Sequence, residues 1–166
     1  ISFLEFSKAA DKFINVAMRG IKEGTFRLQP AKPISIIADK VRVIHRFSWP
    51  DRFILTHFAR CIEHLASSLY SESLFSYRHG RSDAGARLRV SRYLAQTQSR
   101  IWIARRDISK YGESMDHGII MADFERLFNP EPELLKLMQE ACSFTIEADG
   151  TVKRNNCGLP TGTFLQ

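Results

Sequence analysis

Apolar residues recur along the first positions of the chain at spacings of three and four: Phe3, Phe6, Ala10, Phe13 and Ala17. Lys8, Asp11, Lys12 and Asn15 fall mostly elsewhere. A helical turn takes 3.6 residues, so this period gathers the apolar set on one face and predicts an amphipathic helix over 2–19. Gly20 and Gly24 loosen its end. The pattern then shortens. Residues 25–29 read as a short strand closed by Pro30 and Pro33. "ISIIAD" and "VRVIHRF" are β-rich runs on either side of Asp39-Lys40 and predict a hairpin. "SWPD" stops the sheet and starts a helix, with Asp51 as its cap and Ile54, Phe58, Cys61, Ile62, Leu65 and Leu69 as its apolar stripe.

The polar turn "SYRHGRSD" comes next, and Ser82 or Asp83 caps a helix that runs to about Gln98. A strand over 100–108 follows, then helices over 117–128 and 131–142, separated by Asn129-Pro130. "SFTIEADGTVKRN" predicts two short strands joined through Asp149-Gly150, a pair suited to a tight hairpin turn. "CGLPTGTFLQ" reads as a Gly/Pro loop that opens another helix. Strands and helices mixed without regular alternation predict an α+β fold.

Composition narrows the class. A chain of 166 residues makes one domain or a large part of one, and twelve Phe residues promise a sizeable core. No apolar run approaches the roughly 18–20 residues needed to span a bilayer, and the N-terminus lacks the layout of a signal peptide. Cys61, Cys142 and Cys157 are odd in number and lack metal spacing, which reads as reduced thiols in a cytoplasmic protein. His45, His57, His64, His79 and His117 show no metal or triad spacing and read as packing or surface residues.

The net charge of +6 is unevenly placed. From Arg78 to Lys110 the bases are Arg78, Arg81, Arg87, Arg89, Arg92, Arg100, Arg105, Arg106 and Lys110, against only Asp83 and Asp107. Such a block suits a polyanion, most simply nucleic acid; a solvated face, or pairing with acids elsewhere, is the alternative. Asp107 ends the β-rich run "IWIARR". A carboxylate there can hold a divalent ion, act as a base, or pair with Arg105 and Arg106.

Four ordered blocks carry a resemblance. "VRVIHRFSWPDR" (41–52) is a basic strand running into an Asp-Arg pair that opens a helix. "LFSYRHGRS" (74–82) resembles a Phe-x-x-Gly-Arg-Ser-type block. "RRDISKYGESMDH" (105–117) places an aspartate after a strand, and "GLPTG" (158–162) is a Gly-x-Pro-x-Gly loop. In this order, over about residues 25–166, they resemble the N-terminal part of a bacterial reverse transcriptase of the group II intron, retron and phage-defence type. The resemblance implies right-hand polymerase architecture, with a fingers region over 1–98 and the first part of the palm over 99–166. It implies that Asp107, with the carbonyl of Ile108, ligates Mg²⁺, with Mn²⁺ as the alternative ion. Small hard cations take oxygen ligands and keep waters, so a few carboxylates and substrate phosphates suffice.

By the same resemblance Lys40 and Arg42 reach the triphosphate, and Tyr111 and Gly112 lie beside the nucleotide sugar. Gly158, Pro160, Thr161 and Gly162 contact template or primer, while Arg78 and Arg81 either track a template or primer backbone or hold their turn by bonding carbonyls. The implied partners are an RNA template, a DNA or RNA primer, nucleoside triphosphates and the remaining palm and thumb, with no membrane. The implied activity is RNA-directed DNA synthesis in phage defence. Two rivals stand beside it: a template-independent or protein-primed polymerase, and a non-catalytic RNA-binding module. Three departures qualify the resemblance. There is no Asp-Asp pair anywhere, so the aromatic-x-Asp-Asp motif is missing and this stretch alone is expected to be inactive; Ile1 in place of Met also fits a fragment. Gly112 stands where the family carries a bulky aromatic that crowds a 2′-hydroxyl, with Tyr111 one residue earlier. Thr161 stands where intron-type enzymes often carry Gln.

Overall fold

Ser2 opens the first helix through a reciprocal cap. Its hydroxyl accepts from the Glu5 N–H, and Glu5 reaches back to the Ser2 N–H at 2.7 Å. The computed structural model describes residues 2–37, 41–76 and 78–160. The predicted single helix over 2–19 is two helices, α1 (Phe3–Lys8) and α2 (Ala10–Lys22), broken at Ala9 with φ −128° and ψ 22°. The break has a packing reason. Seven residues of straight helix rise about 10 Å, yet the rings of Phe6 and Phe13 lie 6.0 Å apart, and Phe6 lies 5.8 Å from Phe53. Bending at Ala9 brings Phe6 into the core, which neither helical propensity nor period reports.

Residues 25–29 form no strand. Ala31 makes one parallel bridge to Ile146, and β1 (Lys32–Ile37) pairs antiparallel with β2 (Val41–Arg46) in the register Ile34↔Ile44 and Ile36↔Arg42. The irregular segment before β1 is held by two carboxylates instead of a ladder. The Leu28 N–H donates to Glu140 Oε1 at 3.1 Å, and the Gln29 N–H donates to Asp51 Oδ2 at 3.2 Å.

Helix α3 (Trp49–Ala66) follows, and Ser48 rather than Asp51 caps it. The Ser48 hydroxyl accepts the Asp51 N–H at 3.3 Å and donates to the Asp51 carboxylate at 2.6 Å. Asp51 lies a turn inside the helix, where it also serves Gln29. The apolar stripe holds for the first half of α3, where Ile54, Leu55, Phe58 and Ala59 are buried. It fails beyond, since Cys61, Leu65 and Leu69 are exposed.

The chain divides into two units. The first comprises residues 1–63 and 109–166, the second His64–Ile108. The first holds two apolar clusters. In one, Ala17 and Ile21 of α2 and Ile54 and Phe58 of α3 meet Phe124 of α6 (His117–Phe128), Leu137 and Met138 of α7 (Pro132–Cys142), and Leu159. In the other, Leu28, Ala31, Phe47, Leu55, Ala141 and Phe144 pack together. Full burial of a Phe or Leu side chain contributes about 1.5–3 kcal/mol, so these clusters hold the unit together. The final hairpin, β3 (Thr145–Ala148) and β4 (Thr151–Arg154), turns through Asp149 and Gly150, both at positive φ as the sequence predicts.

The second unit holds α4 (Asp83–Gln96), capped by Ser82, whose hydroxyl accepts the Gly85 N–H at 3.1 Å. No residue of α4 is buried. The predicted strand over 100–108 does not form. Sheet pairing needs a partner edge, and among the described residues the only ladders are β1–β2 and β3–β4. Trp102 and Ile103 of that run are exposed. The fold is therefore α+β, with helices and two small antiparallel sheets. Among the described residues no helix is long and apolar enough to cross a membrane.

Candidate functional site

In the first unit, the sequence block around Tyr111 and the Gly-Pro loop are stitched together. Lys110 enters α5 (Tyr111–Ser114) in the left-handed conformation, φ 51°, and this one-turn helix leaves Tyr111 half exposed. The loop approaches from the far end of the sequence. The Leu159 N–H donates to the Gly112 carbonyl at 2.7 Å, and the Gly158 N–H donates to the Met115 carbonyl at 2.7 Å. Gly158 has φ +78°, and a Cβ there would lie 2.6 Å from the carbonyl oxygens of Gly112 and Glu113. Only glycine lets the two backbones come this close. Gly158, Leu159 and Pro160 are all buried. Thr161 and Gly162 lie outside the described residues.

Two side chains given only a packing or surface role, or none, by the sequence complete the junction. His117 Nε2 lies 2.7 Å from the Gly158 carbonyl oxygen, and Asn155 Nδ2 donates to the same oxygen at 2.9 Å. The only signal in the sequence is that His117 closes the Asp107 block and Asn155 precedes the loop. Spacing cannot reveal that they share one acceptor. His45 of β2 stacks edge-on against Phe144 at 5.0 Å, and burial holds its imidazole below its ordinary pKa. Burial lifts the Cys142 thiol to about 11, so it stays protonated at neutral pH.

In the second unit, three arginines converge on the segment 70–75. Arg78 donates to the Ser71 carbonyl at 3.1 Å and lies over the Tyr70 ring. Arg81 pairs with Glu72 at 3.1 Å over the Phe75 ring, and Arg89 donates to the Glu72 carbonyl at 2.6 Å. The hydrogen bond and charge from Arg81 hold the Glu72 carboxyl below its ordinary range. Arg78 and Arg81 thus brace this turn. Beside them opens a groove of about 540 Å³, walled by Phe75, Arg81 and one face of α4: Leu88, Arg89, Arg92, Tyr93 and Gln96. Arg92 makes no ion pair or hydrogen bond with the described residues, and Tyr93 is exposed.

Asp107 is exposed in the second unit, and its carboxylate makes no hydrogen bond or ion pair with any described residue, Arg105 and Arg106 included. Ile108 follows it, also exposed. Local charge pairing, one of the alternatives for Asp107, is therefore not what occupies it. No group of three or more His, Cys, Asp or Glu among the described residues could hold a metal ion. Among those residues Asp107 stands with no second carboxylate gathered beside it in such a group. Arg42 is exposed on β2 opposite Ile36, and Lys40 lies outside the described residues.

No protein-family description matches the chain, and no curated protein matches it in sequence. Solved structures do match in fold. A chain of a partial Cas6-RT-Cas1–Cas2 complex superposes with a TM-score of 0.61 at 16% identity, over 96% of this chain and 27% of that one. A chain of a Cas6-RT-Cas1–Cas2 complex gives the same score and identity, over 96% of this chain and 17% of that one. The likeness at this identity is one of fold, and this chain spans less than a third of the length of either matched chain.

Proposed function

We propose that the chain is the fingers and first palm segment, divided near residue 98, of an RNA-directed DNA polymerase. It would extend a primer 3′-hydroxyl with nucleoside triphosphates, in a phage-defence system. The observation that carries this reading is the fold likeness across 96% of the chain to a chain of a complex named for its RT. The exposed, unpaired Asp107 fits the role of a metal-binding carboxylate, with the Ile108 carbonyl beside it. When bound, Mg²⁺ would neutralise charge on the reacting phosphate, and its remaining ligands would come from outside the described residues. The residues of this chain would do the positioning. The groove of Arg81, Arg89, Arg92 and Tyr93 would track a nucleic-acid strand. Arg42 would meet the triphosphate, where a planar guanidinium suits bidentate contact. Lys40, Thr161 and Gly162 keep the roles that the resemblance implies. Protein partners follow from the multi-protein character of the similar complexes, and a cytoplasmic location from the nucleic-acid substrate.

The test is primer extension by the complete protein. Asp107→Asn should fold normally by circular dichroism and lose at least about 100-fold in incorporation, since a neutral amide cannot balance a divalent cation. Near-normal extension by the folded variant would return Asp107 to a surface role.

A further inference from the structure

The four-residue helix α5 is too short to hold its own shape, because one helical turn repays little of its nucleation cost. Its entry residue Lys110 stands at φ 51°, which disfavours the turn further. What fixes it lies outside: the carbonyls of Gly112 and Met115 accept the N–H groups of Leu159 and Gly158. These are acceptors that a helix end leaves without a partner. The turn is therefore as rigid as the Gly158–Leu159 peptide that meets it.

That peptide is oriented by the Gly158 carbonyl, and there two side chains act on one atom. A carbonyl oxygen only accepts, so His117 must donate from Nε2. Asn155 is itself anchored. Its N–H donates to the Phe144 carbonyl at 2.8 Å, and Nδ2 also reaches the Cys142 carbonyl at 3.3 Å. The Gly158 carbonyl is thus tied to the start of α6 through His117 and to the α7–β3 junction through Asn155.

We infer that His117 and Asn155 are positioning residues that fix the Tyr111–Gly112 turn through the Gly158 carbonyl, and thereby set how sharply a nucleotide's sugar is selected. The latch rests on the geometry alone. Its effect on sugar selection rests also on the polymerase reading. With Gly112 at the position that would crowd a 2′-hydroxyl, no side chain there supplies the wall. Discrimination falls to the neighbouring Tyr111 and to the placement of the backbone, both of which the latch governs.

The two parts are tested separately in the complete protein. Hydrogen exchange read by mass spectrometry on peptides spanning 111–118 and 155–160 tests the latch. His117→Ala should exchange about tenfold faster there, the factor given by about 1.4 kcal/mol. His117→Gln, whose amide nitrogen donates from a similar reach, should stay near wild type. Exchange in His117→Ala equal to wild type overturns the latch. Should His117→Ala fail to fold, Asn155→Ala gives the same reading with the His117 bond intact. Sugar selection is tested by the ratio of kcat/KM for matched deoxy- and ribonucleotides. His117→Ala should lower it about threefold or more, and His117→Gln should restore it. An unchanged ratio in a variant whose exchange has risen overturns the selectivity claim. A wild type that incorporates no nucleotide overturns that claim and the polymerase reading together, and the exchange result then decides the latch on its own.

Discussion

Leu159 donates its backbone N–H to the Gly112 carbonyl over 2.7 Å, and this bond joins two of the four motif blocks that the sequence shows far apart. The contact is possible because the preceding residue, Gly158, presses its bare Cα against the α5 backbone.

Gly158→Ala should therefore break the junction. A Cβ at 2.6 Å from two carbonyl oxygens cannot be relieved by a side-chain rotation, and φ +78° is strained for alanine as well. A loss of at least about 2 kcal/mol is expected in urea denaturation. Gly150→Ala is the control. It shares a positive φ but has open space around the added methyl, so it should cost only about 1 kcal/mol. Equal losses at the two positions would show that conformation alone, and not the approach of the loop, requires Gly158.

The groove on α4 predicts salt-sensitive binding of single-stranded RNA. Each phosphate contact contributes about −0.7 to the slope of log K against log salt, so Arg92→Ala should flatten the slope by about that much. Tyr93→Ala should weaken binding by about 1–3 kcal/mol through lost base stacking while leaving the slope unchanged. Fluorescence titrations of a labelled oligonucleotide across salt concentrations read both. A flat salt dependence in the wild type would remove nucleic acid as the occupant.

Asp51 predicts a pH dependence of stability. Burial raises its carboxyl above the ordinary range, against the lowering effect of its bonds from Ser48 and Gln29. A carboxyl of raised pKa binds its proton more tightly in the folded state. Its contribution is then complete below the ordinary carboxylate range and is lost as pH rises through the folded value. Asp51→Asn keeps an acceptor and cannot ionise. The stability of the wild type relative to Asp51→Asn should fall as pH rises from the acid range towards neutrality, measured by urea denaturation at a series of pH values. A relative stability that rises with pH would show that hydrogen bonding outweighs desolvation at this site.

Much of the local structure was legible. The helix over 117–128, the Asp149-Gly150 hairpin, the Ser82 cap and the pairing of the two β-rich runs all follow from period and turn chemistry, because each is decided by residues within a few positions. The misreadings share a cause. The strand expected over 100–108 has the right residues but no partner edge among the described ones, and a strand cannot be formed alone. The strand expected over 25–29 is replaced by an irregular segment whose N–H groups go to Glu140 and Asp51. The helix over 2–19 breaks so that Phe6 can reach Phe53.

The sequence by itself determined the α+β class, the position of Asp107 at the end of a basic, apolar run, the concentration of arginines after residue 78, and the glycines of the Gly-Pro loop. These are properties of residue type and order. Tertiary structure alone decided that Arg78 and Arg81 are partly spent on bracing the 70–75 turn, that Asp107 is free of Arg105 and Arg106, and that His117 and Asn155 meet on the Gly158 carbonyl. Hydrogen bonds of that kind are set by where distant backbones come to rest. That placement depends on the packing of the whole core, to which each residue contributes a little and no single motif enough.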